Sequence, residues 1–560
     1  MATNRRRFIA AEDYTEDSSS DIDYYETTDE SDDSGDETVR PRTATSDTWT
    51  VLAENQRDID SSLPLPVVTA APLPAPGPVN PPDSDAAPLD YFSKFCTMDF
   101  WHLLVEQTNH YAQTYLTQNP NLPPYSRAKA WTDTDEVEMK AFLGLLLNMG
   151  LNQKPTIVAY WDETNSSQDT PYFRNVMTVN RFKLLLRFFH VSDNALILPR
   201  DDPNHDPLHK FRPVLEMFNN NFASNYNLAR DVSIDESLVG FKGRHMMVNY
   251  IKIKKHHQWA PKMYILAESS TGYVHRSMLH LLKKYQPPQS QKGQPYDVCM
   301  KLMDGHFNKG HHLGVDNYYT SIDMCSDLHQ KGTYCTGTVR ANRRGLPPAV
   351  KDNKMLRKGE HVSLRKGAIL AVNFHDRKCV KFLSTLATAK TETAKRRIGN
   401  EFQWPSVVGL YNSTMGGVDL SDQLTCEYAD ERRTVKMWKK IVFHLIDRAA
   451  VNSYICFQKN SKKVVTRYSF MIRLVEELIG GYRSGGRKRG RPSTGANDTR
   501  LIGRHFIRFI PDKKRKKCVV CGDGEGYSGT RIRTYCPTCD VGLCIGECDE
   551  RYHTRVNYKP

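Results

Sequence analysis

The chain lacks any apolar run long enough to cross a bilayer. Its longest, Ala141 to Leu151 (AFLGLLLNMGL), falls well short of the ~20 residues a spanning helix needs and reads as a buried helix. A secretory leader is missing too: Arg5, Arg6 and Arg7 run almost at once into acidic residues, with no apolar core between. These absences predict a soluble, intracellular protein with no membrane partner. Its 13 cysteines are then thiols or metal ligands, not disulfides. Basic residues are scarce at the start. The first 90 residues hold 6 Lys/Arg against 20 Asp/Glu, a net of −14, so the rest carries +27 to reach the total of +13. A body that basic predicts a polyanionic partner, nucleic acid being the commonest. No basic amphipathic helix stands out, which disfavours an acidic lipid surface. Residues 1–88 are also poor in apolar side chains, acidic and Ser/Thr-rich from Glu12 to Glu37 and Pro/Ala-rich from Pro64 to Pro88. Such a segment cannot offset its ordering entropy and reads as a disordered tail.

What the body does contain is three separated acidic motifs. SIDESLVGFKGR (233–244) alternates as a strand start leading into a turn, with Asp235 near its head. GVDNYYTSI (314–322) places Asp316 just after the apolar Leu313 and Val315. YNSTMGGVDLSDQL (411–424) places Asp419 after a Gly-Gly turn, with Asp422 three residues on, on the same face if helical. Alone, each acid is most often a cap or turn residue. Together, in a fold that converges them, few carboxylates with open positions suit two Mg²⁺ ions on phosphate oxygens.

A second metal signal closes the chain. Cys518 and Cys521, Cys536 and Cys539, Cys544, Cys548 and His553 lie in one short segment. Two CxxC pairs at this separation are a strong zinc signature, each supplying two tetrahedral ligands from one turn. Seven candidates exceed one site and fall one short of two, and His505 is the nearest unassigned residue. A RING or PHD finger is the competing reading. Cys544 stands where a PHD finger usually has His, and the flanking KKRKK (513–517) favours DNA and a nuclear address.

The three acidic motifs, in this order, resemble those of the piggyBac superfamily of DNA transposases. The resemblance implies an α/β protein: an RNase H-like core with an insertion, a mainly helical dimerisation and DNA-binding domain, and a small C-terminal zinc domain. Asp235, Asp316 and Asp419 would hold two Mg²⁺, with Asp422 an auxiliary acid. His505 would be the eighth ligand for two structural Zn²⁺ in a cross-braced module on transposon-end DNA. Basic residues at Arg340 and Arg343 would matter for joining to target, and an aromatic near Trp438 would meet DNA bases. The implied activity is cut-and-paste transposition through hairpin ends into TTAA, by a homodimer on double-stranded DNA in the nucleus. The alternatives are a domesticated DNA-binding relative without cleavage, and a zinc-finger chromatin reader.

The segments follow. Residues 89–230 are mainly helical, with Thr97 a candidate N-cap, Asp135 and Glu138 a capping box, and a helix near Val179 to His190. They are completed by 429–480, where Trp438, Ile441, Val442, Leu445, Ala449 and Ile455 trace an apolar stripe and Ser469 to Ile479 reads as a capped helix. Residues 231–342 begin the core, with strands at Tyr250–Lys254, at Lys262–Ala267 and from Gly272, and a helix near Ile322 to Lys331. Residues 343–405 are an irregular, basic insertion. Arg340, Arg343 and Arg344 on its Gly-flanked approach suit phosphate contact. Residues 406–428 end the core, 481–500 form a basic linker with an AT-hook-like Arg489-Gly490-Arg491-Pro492, and 501–560 form the zinc domain.

Overall fold

The computed structural model describes residues 49–52 and 72–560, apart from 242, 244, 246, 251–258, 354–355, 396–400, 431–433, 435, 484–500, 502–503, 523–530, 556–557 and 559–560. Most of the expected N-terminal tail, Arg244, the strand beyond Tyr250 and nearly all of the basic linker lie outside the described residues. The chain divides into two compact units, up to Ser484 and from Gly485.

The first unit is built on a ten-stranded mixed sheet. Its centre is β1 (Asp231–Leu238), β2 (Trp259–Glu268), β3 (Val274–Leu279), β4 (His312–Val315) and β5 (Tyr334–Thr338). They lie in the order β3-β2-β1-β4-β5. β1, β2 and β3 form an antiparallel meander, and β4 and β5 run parallel to β1. β4 (HLGV) is buried throughout, as a central parallel strand is, and its one polar side chain, His312, is hydrogen-bonded to Asp231 and Thr336. Helices α5 (Gln294–Leu302) and α6 (Ile322–Gln330) make the crossovers. Ser321 caps α6, its side chain accepting from the Met324 amide.

Two expectations need correction here. The SIDE segment is not a strand start leading into a turn: it is the middle of an eight-residue strand, with Asp235 opposite Ile265 of β2. Nor is 343–405 irregular. Strands β6 (His361–Lys366), β7 (Ile369–His375) and β8 (Cys379–Ser384) continue the same sheet, β8 pairing with β5. Thr50–Val51 pairs on β6 at the far edge, and Thr391–Lys395 with Glu401–Pro405 form a separate hairpin. Strands β6 to β8 are six or seven residues long, and β7 is buried along almost its whole length, so it shows no strand alternation.

Helices surround the sheet. α1 (Met98–Gln118), α2 (Glu136–Leu151), α3 (Val179–Phe188) and α4 (Arg212–Ser224) precede it; α9 (Met437–Asn460) and α10 (Arg467–Ile479) follow. α10 packs on α2, and α9 on α4, so the two sequence-distant groups form one layer. α2 is buried nearly all round, which is why its sequence lacks a polar face. Asp135 caps it, accepting from the Glu138 amide at 2.8 Å. The Glu138 carboxylate does not close a capping box; it pairs with Arg181. α10 starts before Ser469: Thr466 is its cap, accepting from the Ser469 amide at 3.2 Å. Between sheet and layer lie α7 (Ser406–Met415) and α8 (Gly417–Glu427).

The second unit holds a three-stranded sheet (Arg508–Phe509, Thr534–Cys536, Val541–Gly542), the pair Lys516–Lys517 with Arg531–Ile532, and α11 (Glu547–Thr554). Among the described residues no helix is long and apolar enough to cross a membrane.

Candidate active site and metal centres

Strand register brings the first two acids together. Ile234 of β1 is level with Val315, the last residue of β4, in the parallel pair, so Asp235 within β1 lies beside Asp316, the first residue after β4. The third acid comes from α8, which packs on β1. Gly416 is the turn residue between α7 and α8, and Gly417 is the first residue of α8. A Cβ on Gly417 would lie 2.6 Å from Ser233 Oγ and 2.7 Å from the Glu268 carbonyl, so only glycine lets the helix sit this close to β1. Asp419 then falls in the first turn of α8 and is exposed, whereas Asp235 and Asp316 are half-buried.

The electrostatics reflect this convergence. Burial raises the Asp235 carboxyl well above its ordinary range, and the charges of Glu236, Asp316 and Asp419 raise it further. Burial and the Glu236 charge raise Asp316 to about 6, against the Tyr318 amide and Arg340. Backbone donors orient both groups: the Glu236 amide to Asp235 Oδ1 and the Tyr318 amide to Asp316 Oδ1, at 2.8 and 2.9 Å. Glu236 is itself held by the Tyr319 hydroxyl and Lys262, at 2.9 and 3.0 Å. Buried carboxylates that repel one another and offer only hard oxygens fit a divalent cation such as Mg²⁺.

Asp422 is placed differently. It shares α8 with Asp419, but its Oδ1 accepts from Arg448 Nη2 and Ser237 Oγ, both at 2.7 Å. Arg340 Nε donates to Asn317 Oδ1 at 2.9 Å, and Arg343 Nη2 to the Asn317 carbonyl at 3.1 Å and to that of Tyr318. Both therefore brace the turn that follows Asp316, while Arg344 is exposed. Trp438 is a correction. It is 7% exposed, stacked 6.3 Å from Phe189 and 5.1 Å from His190. Lys439 beside it donates to the Leu186 and Arg187 carbonyls at the end of α3, at 2.6 and 3.1 Å. A base could reach the indole only if the start of α9 left the core. Of the surrounding groups, sequence reasoning passed over Glu236, Ser237 and Arg448. Glu236 adjoins Asp235 and could have been flagged; Arg448 sits in an amphipathic-looking helix and gives no local signal.

In the second unit the eight candidate ligands sort into two quartets: Cys518, Cys521, Cys544 and Cys548, and His505, Cys536, Cys539 and His553. Within each, the ligand atoms lie within 4.8 Å of one another. The pairs alternate between quartets along the chain, a cross-brace. His553 Nδ1 faces Asp549 Oδ1 at 2.8 Å, which turns Nε2 toward Cys539 Sγ at 3.7 Å. Burial opposes ionisation of Cys518, yet the amides of Cys521, Cys544 and Val520 bring its thiol down to about 7. Asp549, four residues before His553 on one helix, was legible by spacing and had been missed.

A family model described as Transposase IS4 matches residues 87–454, and the chain belongs to that family, in its piggyBac branch. It is similar to the human PiggyBac transposable element-derived protein 5, 23% identical over 420 residues (72% of this chain, 78% of that one). The human PiggyBac transposable element-derived protein 2 is 25% identical over 457 residues (78% and 72%). The fold matches a piggyBac transposase solved by cryo-electron microscopy as a synaptic complex with hairpin DNA, with TM-score 0.64 and 24% identity over 73% of this chain and 83% of that one.

Proposed function

We propose that this chain is a cut-and-paste DNA transposase whose active site is Asp235, Asp316 and Asp419. The observation that carries the reading is the register that sets Asp235, within β1, beside Asp316, the residue just past the end of β4, with α8 packed on β1. The strand order β3-β2-β1-β4-β5 supports an RNase H-like core. The three carboxylates would hold two Mg²⁺, which when bound supply Lewis-acid stabilisation of attacking and leaving oxygens in phosphoryl transfer. The chain's own groups set the stage. Amides of Glu236 and Tyr318 fix the carboxylate orientations, and Arg340 and Arg343 hold the Asn317–Tyr318 turn. Of the three arginines here, Arg344 is the exposed one and is the donor a DNA phosphate could take. The reaction is a nick by water, attack of the freed 3′-hydroxyl on the opposite strand to close a hairpin, hydrolysis that reopens the hairpin and regenerates the 3′-hydroxyl, and attack of that hydroxyl at TTAA. The hairpin in the related synaptic complex supports that order.

The C-terminal quartets would each take Zn²⁺ and present the basic module to transposon-end repeats. Tetrahedral thiolates at a Zn–S distance of ~2.3 Å stand ~3.8 Å apart. Cys521 and Cys544 Sγ are 3.8 Å apart and Cys536 Sγ is 3.6 Å from His505 Nδ1. We take the working form to be a nuclear homodimer on DNA.

The test is excision of a repeat-flanked, TTAA-bounded element from a donor plasmid with Mg²⁺. Wild type should excise, and Asp235→Ala, Asp316→Ala and Asp419→Ala should not. Excision by Asp235→Ala or Asp316→Ala would sink the assignment. A second reading, DNA binding without cleavage, draws on the exposure of Asp419 and on human relatives named as element-derived. Repeat binding with no excision by wild type would establish it.

A further inference from the structure

Arg448 is among the largest fully buried side chains of the described residues, at 0% exposure, and each of its three guanidinium nitrogens donates a hydrogen bond. Nη2 reaches Ser237 Oγ at 2.6 Å and Asp422 Oδ1 at 2.7 Å. Nη1 reaches Ser421 Oγ at 3.0 Å, and Nε reaches His444 Nε2 at 2.9 Å. Ser237 and Ser421 are fully buried as well. Burying a cation this deeply costs several kcal/mol unless it is paired and hydrogen-bonded, so such a group persists where it fixes something.

What it fixes is legible from the chain. Ser237 stands two residues beyond Asp235 and therefore on the same face of β1. Ser421 and Asp422 stand two and three residues beyond Asp419 on α8. Arg448, from α9, is thus the bolt between the strand that carries the first acid and the helix that carries the third. Asp422 is its counter-ion: Oδ1 is already engaged twice, and its charge is balanced by the guanidinium.

We propose that Arg448 is a positioning residue that sets Asp419 against Asp235, and that Asp422 serves this clamp and is not a metal ligand. This rests on the three-aspartate metal reading above. The clamp determines how far α8 stands from β1, and so whether one cation can reach acids on both elements.

The test is Mn²⁺ binding to the full chain, followed by loss of the free-ion electron paramagnetic resonance signal, with Asp235→Asn as the blank. Thermal melting is run in parallel. Arg448→Met and Asp422→Asn should each weaken Mn²⁺ ~10-fold or more. The double variant Arg448→Met/Asp422→Asn, which leaves no unpaired buried charge, should melt close to wild type. Its Mn²⁺ affinity should stay as weak as the single variants', without further loss, since the two act as one unit. Should Arg448→Met prove too unstable, Ser237→Ala tests the same link with a smaller change and should also weaken Mn²⁺. Three results overturn the proposal. If Arg448→Met leaves Mn²⁺ affinity unchanged or tighter while Asp422→Asn weakens it, Asp422 is a ligand. If the double variant recovers both melting and Mn²⁺ affinity, the clamp is structural only. If wild type binds no more Mn²⁺ than the Asp235→Asn blank, the metal reading falls and this proposal with it.

Discussion

Asp235 and Asp316 show how a residue can be costly to the fold that holds it. Each would ionise near pH 4 in an unfolded chain. In the fold, burial and neighbouring acids raise Asp316 to about 6 and Asp235 well above its ordinary range. The folded chain therefore binds more protons than the unfolded one between those values, and stability without metal falls as pH rises through about 6. At pH 7.5 without divalent ions, Asp316→Asn should be more stable than wild type by about 1–2 kcal/mol in urea, partial solvent access limiting the gain. Mg²⁺ should stabilise wild type and not the variant. A variant less stable than wild type in both conditions would mean the carboxylate is held by favourable contacts. Trp438 makes the opposite case. It is packed against Phe189 and His190, so Trp438→Ala should cost about 3–5 kcal/mol, while Trp438→Phe should keep DNA affinity within a few-fold. A loss above ~10-fold for Trp438→Phe at unchanged stability would restore a base-stacking role.

At the scale of elements, the site depends on how closely α7 and α8 lie on the sheet. Gly314 in β4 and Gly417 in α8 make that approach: a Cβ on Gly314 would come 2.8 Å from Thr414 Cγ2. Gly417→Ala should cost about 1–3 kcal/mol, because Ser233 Oγ and the Glu268 carbonyl occupy the space. Excision should fall further than stability alone explains, since α8 carries Asp419. Equal stability and full excision in Gly417→Ala would show that α8 has slack. The β6–β8 extension has its own consequence. It joins the core through β5, the strand that runs into Arg340, so the insertion and the Asp316 turn share one rigid sheet.

For the molecule as a whole, the two units make separable predictions. Each Cys/His quartet gathers side chains from segments tens of residues apart; if each holds Zn²⁺ as proposed, the second unit should not keep its fold without metal. Chelation, or Cys536→Ser with Cys539→Ser, should abolish the melting transition of residues 501–560 and binding to terminal repeats. The transition of the larger unit should persist. Terminal-repeat binding that survives loss of residues 500–560 would move end recognition to the helical layer.

The sequence by itself marked the candidate acids, the cysteines and histidines that the fold gathers into two quartets, and most helices. Motif spacing, caps such as Asp135 and apolar periodicity are local properties. It also marked Lys262–Ala267 and the α6 helix, whose patterns are clear within a few residues. It put Asp235 on a strand but could not set its register, reveal that β6–β8 extend the same sheet, or find Arg448. Register between β1 and β4, the depth of α8 on the sheet and the partners of a buried guanidinium depend on side chains hundreds of residues apart, and those meet only in the folded chain.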